Sequence, residues 1–160
     1  MPGVVHSVVA MVTSRIVRLI AAAAVLIGGY AHYHLWDVSY RHAPVKELFV
    51  INAIASLVIG IALAIGPRRL AALGGIGLSV LTLAAFALSR GPGVPTFHAT
   101  FTESGLQPSS VHVLGVGVAL VTLIAEGAAL VLSLVILAWA PRRRGARAPR
   151  RRGARGAGHP

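Results

Sequence analysis

Residues 48–65 read LFVINAIASLVIGIALAI, an unbroken run without a single charge. An α-helix rises about 1.5 Å per residue, so roughly 20 apolar residues cross the hydrocarbon core of a bilayer. Three further runs, 16–36, 70–88 and 111–139, are as long and mostly apolar, with Arg18 near the start of the first and Glu126 within the last. The last is longer than the core requires and is expected to tilt or project beyond it. The breaks between them are marked by helix-stopping residues. Pro44 separates the first pair and Gly66-Pro67-Arg68-Arg69 the second. Pro92, Pro95 and Pro108 punctuate a long connection, and Pro141 ends the last run. The pattern predicts an all-α fold, a four-transmembrane-helix bundle. It divides the chain into an N-terminal cytoplasmic segment (1–15), a membrane domain (16–140) and a disordered Arg-rich tail (141–160).

Composition agrees. Charged residues make up 12% of the chain, where a soluble domain carries about a quarter, and the mean hydropathy is +0.77. The absence of cysteine excludes disulfides, thiolate metal sites and cysteine nucleophiles. The bias to Ala, Gly, Val and Arg suits a high-GC bacterial genome. An alternative reading of the first run is a cleaved signal peptide, with Gly29-Tyr30-Ala31 as the cleavage site and His32 as a new copper-chelating N-terminus. The apolar stretch continues through Leu35 and Trp36, so a retained helix is expected instead.

Charge sets the expected orientation. Arg15, Arg18, Arg68, Arg69 and the eight arginines after Pro141 fall on one side; only Arg41, Lys46 and Arg90 fall on the other. Basic residues collect on the cytoplasmic side of membrane proteins. Both termini are therefore expected in the cytoplasm of a multi-pass protein of the bacterial cytoplasmic membrane. His32, His34, His42, His98 and His112 then share the outer side with Asp37, Glu47 and Glu103.

That grouping raises a metal or haem reading. Imidazole binds zinc, copper, iron and nickel, and two histidines can hold a haem iron axially. His32 and His34 point about 200° apart on a helix, so His112, opening the fourth helix, is the better partner for either. His98 and Glu103 from the long connection complete the candidate set. No fixed metal spacing accompanies them. The plainer reading is an interfacial belt: Tyr30, Tyr33, Trp36 and Tyr40 belong at a membrane–water boundary, and histidine suits the same zone.

Inside the membrane, Glu126 stands near the middle of the fourth run, where a carboxylate costs several kcal/mol or becomes protonated. It lies on a stripe of small and polar residues that includes Thr122, Ala129 and Ser133. Asn52, Ser56, Gly60 and Ala64 form a second stripe, Ala71, Gly75 and Ser79 a third, and Ala24, Gly28 and His32 a fourth. Such stripes let helices approach closely. The structural reading has Glu126 bonded to Asn52, Ser56 or a backbone carbonyl; the functional one is a proton- or cation-linked site.

The tail, with Arg142, Arg143, Arg144, Arg150, Arg151 and Arg152 in two clusters, has no acid and no core-forming residues. Anionic lipid headgroups are its expected partners. Nucleic acid is not favoured, because no aromatic residue interleaves the arginines. A homo-oligomer or a membrane protein partner fits the chain's small size. His34-Leu35-Trp36, Tyr40-Arg41, Pro44, Leu48-Phe49 and Asn52-Ala53 resemble a pattern in small uncharacterised integral membrane proteins of actinobacteria. Ala43 and Lys46-Glu47 depart from it. The resemblance implies a four-helix membrane protein and carries over no activity. No catalytic triad, phosphate loop or carboxylate pair points to an enzyme. The leading expectation is a structural or accessory membrane component. The alternatives are a metal- or haem-binding protein and a small proton-linked transporter subunit.

Overall fold

The apolar runs fold as helices whose ends lie close to the Pro and Gly breaks. The computed structural model describes residues 2–41, 45–89, 112–113 and 116–140, with side chains from residue 11 onward except at 39, 112, 113 and 116. Helix α1 spans Pro2–Leu35 and continues as a π-helical turn, Trp36–Tyr40. Helices α2 (Lys46–Ile65) and α3 (Arg68–Ser89) follow. A short antiparallel pair, β1 (His112–Val113) and β2 (Val116–Gly117), leads into α4 (Val118–Trp139). Four helical stretches are long and apolar enough to cross a membrane: Met11–Val38, Lys46–Ile65, Arg68–Ser89 and Val118–Trp139.

Two boundaries differ from the sequence expectation. Helix α1 begins at Pro2, so much of the 1–15 segment is helical. Helix α4 begins at Val118 rather than at residue 111. Val111, Val113 and Val116 are β-branched and Gly115 and Gly117 are poor helix formers. Gly117 itself has the extended ψ of a residue outside the helix. The shorter α4 matches the hydrocarbon thickness, so it needs no tilt or overhang to be accommodated.

The helices pack in ring order. Helix α1 lies against α2 and α4, and α3 closes the ring against α2 and α4. Neighbours run antiparallel, as their end contacts show. Arg18, near the start of the first span, donates from Nε to the Leu63 carbonyl (2.8 Å) and from Nη2 to the Gly66 carbonyl (2.7 Å). Those are among the carbonyls left open at the end of α2. Arg69, at the start of α3, donates to the Ala140 carbonyl beyond α4 at 3.4 Å. Helix α2 stops where Gly66 turns extended ahead of Pro67. A Cβ at Gly66 would sit 2.7 Å from the Ala62 carbonyl oxygen, which leaves glycine as the fitting residue there.

Side chains are distributed inside out. Most large apolar residues point away from the bundle, Ile65 83% exposed and Leu81 70%, while a few such as Leu63, Val25, Val118 and Ile136 are buried. The interior holds Ala21, Ala72 and Ala129 together with Ser56, Ser79, Thr122, Glu126 and Ser133. A surface of this kind is far too apolar for water. Small interior residues instead bring helix backbones close, the packing used where lipid surrounds the bundle.

Candidate functional site

Adjacent glycines on α1 organise the interior. Gly29 faces α2, where a Cβ would fall inside van der Waals contact of the Ser56 Cβ. Gly28 faces α4, where a Cβ would lie 2.8 Å from Glu126 Oε1. The two lie about 100° apart around the helix axis, so one Gly-Gly step serves two neighbouring helices.

Glu126 is 1% exposed. Ser79 on α3 lies close enough for its hydroxyl to act on the carboxyl group. Yet neither carboxyl oxygen, nor that hydroxyl, has a hydrogen-bond partner of good geometry within the described residues. The expected bonds to Asn52 or Ser56 are not made. Asn52 Nδ2 donates instead to Thr82 Oγ1 on α3 (2.6 Å), and Ser56 Oγ donates to Asn52 Oδ1 (3.2 Å). The reason is the ring order: Glu126 on α4 meets α1 and α3, while α2 lies diagonally across. The polar interior therefore has two parts. One is a bonded chain, Ser56–Asn52–Thr82. The other is a buried carboxyl group beside unbonded Ser79, with Thr122 and Ser133, also unbonded in the described residues, one and two turns away on α4.

His32 lies one turn along α1 from Gly28, and its Nδ1 is 2.8 Å from the Gly28 carbonyl oxygen. A carbonyl only accepts, so Nδ1 carries the proton, and the neutral ring keeps its lone pair on Nε2. The ring is buried and tilts over Phe49 of α2 at 5.8 Å. His34 faces elsewhere: it stacks on exposed Tyr30 at 6.1 Å. The two histidines do not share a face. His112 belongs to β1 and not to a helix start, so it is not carried on α4 as expected; its side chain lies outside the described set. His98, Glu103 and the tail arginines 142–144 and 150–152 lie outside the described residues. Among the described residues no three His, Asp or Glu side chains gather as metal ligands would.

The bundle end opposite the arginines is closed by aromatic packing. The π-helical turn places residues five apart on nearly one side, and Leu35 and Tyr40 both enter a cluster with Ala31, Val45, Phe49 and Val118. Tyr40 stacks on Phe49 at 4.5 Å. Arg41 pairs with Asp37 and lies over the Trp36 ring. Burial pushes the Tyr40 hydroxyl up to about 12. A phenol ionises near 10 in an unfolded chain. Its burial therefore stabilises the fold fully below about pH 10, and that contribution is lost as pH rises towards 12. Alkaline unfolding should show a loss of stability in this window, and Tyr40→Phe should flatten it. An unchanged slope in the variant would assign the loss to another group.

Gly29, Thr82 and the capping role of Arg18 were not evident from the residues alone. Thr82 does extend the Ala71, Gly75, Ser79 stripe by one three-residue step, a signal that was present. The chain matches no family model, no curated protein and no solved structure.

Proposed function

We propose that this chain is a four-helix integral protein of the bacterial cytoplasmic membrane, with both termini and the basic tail in the cytoplasm, serving as a structural or accessory component. One observation carries the reading. The bundle buries serine, threonine, glutamate and small residues while turning most of its large aliphatic side chains outward, an arrangement stable in lipid and not in water. The orientation is supported by the clustering of Arg15, Arg18, Arg68 and Arg69 at one end, against Arg41 and Lys46 at the other. Reporter fusions after residue 160 and within 91–111 test it. A periplasmic reporter should be active only in the connection and a cytoplasmic one only at the tail. The reverse result would overturn the topology.

A second reading is favoured by Glu126: a proton- or cation-linked subunit. A buried carboxyl group without good hydrogen bonds contributes little to holding helices together and costs free energy to bury. Its place in the bundle is better accounted for by a task. Exchange of a proton or cation at this carboxyl group, with His32 one turn nearer the aromatic end, is that task.

A further inference from the structure

Three guanidinium groups gather near the C-terminal end of α2, and among the described residues no carboxylate neutralises them. Arg18 turns onto the Leu63 and Gly66 carbonyls. Arg68, the first residue of α3, reaches past the same end to the Ser14 hydroxyl at 3.4 Å. Arg15 is exposed and makes no hydrogen bond or ion pair within the described residues. Both Arg15 and Arg68 lie close enough to Arg18 to repel its charge.

The chain has four acidic residues, and none of the three described ones belongs to this end. Asp37 and Glu47 stand at the opposite end, and Glu126 is buried against α1. Glu103 lies in sequence between the helix ends that point the other way. Like charges gathered at one helix end repel, and an anion among them relieves that repulsion. Guanidinium forks match phosphate oxygens in pairs. The N-terminus of α3 begins at Arg68, and its first N–H groups lack intrahelical partners, which adds to the attraction.

The surroundings decide which phosphate. Leu19, Ile65 and Leu70, each next to or within two residues of the cluster and its capped helix end, are 57%, 83% and 69% exposed. A free phosphate ion gains nothing from apolar neighbours, whereas the acyl chains of a phospholipid do. We infer that Arg15, Arg18 and Arg68 hold the phosphate of an anionic phospholipid headgroup, with its acyl chains along Leu19, Ile65 and Leu70. The inference rests on the membrane reading above.

The test is thermal unfolding of the full chain in a nonionic detergent, titrated with short-chain phosphatidylglycerol. A ligand that binds only the folded bundle raises the unfolding temperature. Arg142→Gln/Arg143→Gln is the control for lipid held by the tail instead. The parent protein and Arg142→Gln/Arg143→Gln should be stabilised alike. Arg15→Gln/Arg68→Gln should need about 30-fold more lipid for the same shift, taking each near-surface arginine at its usual worth. Arg15→Lys/Arg68→Lys keeps the charge and should fall between. Equal stabilisation by short-chain phosphatidylcholine, or by inorganic phosphate at the same concentration, would overturn the assignment. So would an unchanged response in Arg15→Gln/Arg68→Gln. Alkaline carbonate extraction of membranes separates the two readings. Release of the chain defeats the membrane reading, while retention without a phosphatidylglycerol response defeats only the lipid site.

Discussion

Gly29→Ala is expected to destabilise the bundle by about 1–3 kcal/mol, the usual range for overpacking a tight contact. The added Cβ meets the Ser56 Cβ, an atom attached directly to the α2 backbone, with Ser56 Oγ 3.0 Å away and the Ala53 carbonyl oxygen at 3.5 Å. No rotamer change moves a Cβ aside, so the helices must separate. Separation would also strain the Ser56–Asn52–Thr82 chain that ties α2 to α3. Ser56→Gly removes the obstructing atom and should recover much of the loss in the Gly29→Ala background, less about 1 kcal/mol for a glycine inside a helix. The double-mutant cycle is the measurement, with unfolding followed in detergent. Gly77→Ala is the control, because nothing lies within 4 Å of its added Cβ; it should be neutral or stabilise by up to about 1 kcal/mol. Additive effects at Gly29 and Ser56 would show that the α1–α2 contact is looser than described.

Glu126→Leu should leave the bundle as stable as the parent or more stable by about 1–3 kcal/mol, the cost of a buried polar group without its hydrogen bonds. This reverses what a structural role would require. Had Glu126 been bonded to Asn52 or Ser56, leucine would strand its partners and folded yield would fall. The ring order separates Glu126 from both. Ser79, the polar neighbour that does approach it, already lacks a well-formed bond. Glu126→Gln keeps the shape and removes the ionisable group. If the proton- or cation-linked reading holds, both variants should lose acid-driven flux in reconstituted vesicles at full folded yield. A marked fall in stability for leucine, with glutamine unaffected, would restore the structural role and sink the linked one.

What could be read from residue order alone were properties that follow from one helix at a time. The apolar runs, the Pro and Gly stops and the four-residue stripes are each local. They placed α2 and α3 within two residues of their observed ends. The stripes marked Ser56, Ser79, Thr122, Glu126 and Ser133, all of which are buried. Where local signals compete, the reading was less sharp. Valine around His112 suits a membrane helix by hydropathy and a strand by its β-branched side chain, glycine weakens the helix, and there the strand pair prevails.

Tertiary structure alone decided which stripes meet. Every stripe has the same small and polar character, so composition does not tell a neighbour from a diagonal. Closing four antiparallel helices into a ring sets α1 between α2 and α4. It sends Gly29 to Ser56 and Gly28 to Glu126, although the glycines are adjacent in the chain. Arg18 shows the same limit. In sequence it is one charge near the start of an apolar run. In the bundle its target is the open end of a helix more than forty residues away. The carbonyls that α2 cannot satisfy within itself become a partner only after antiparallel packing brings that end beside α1.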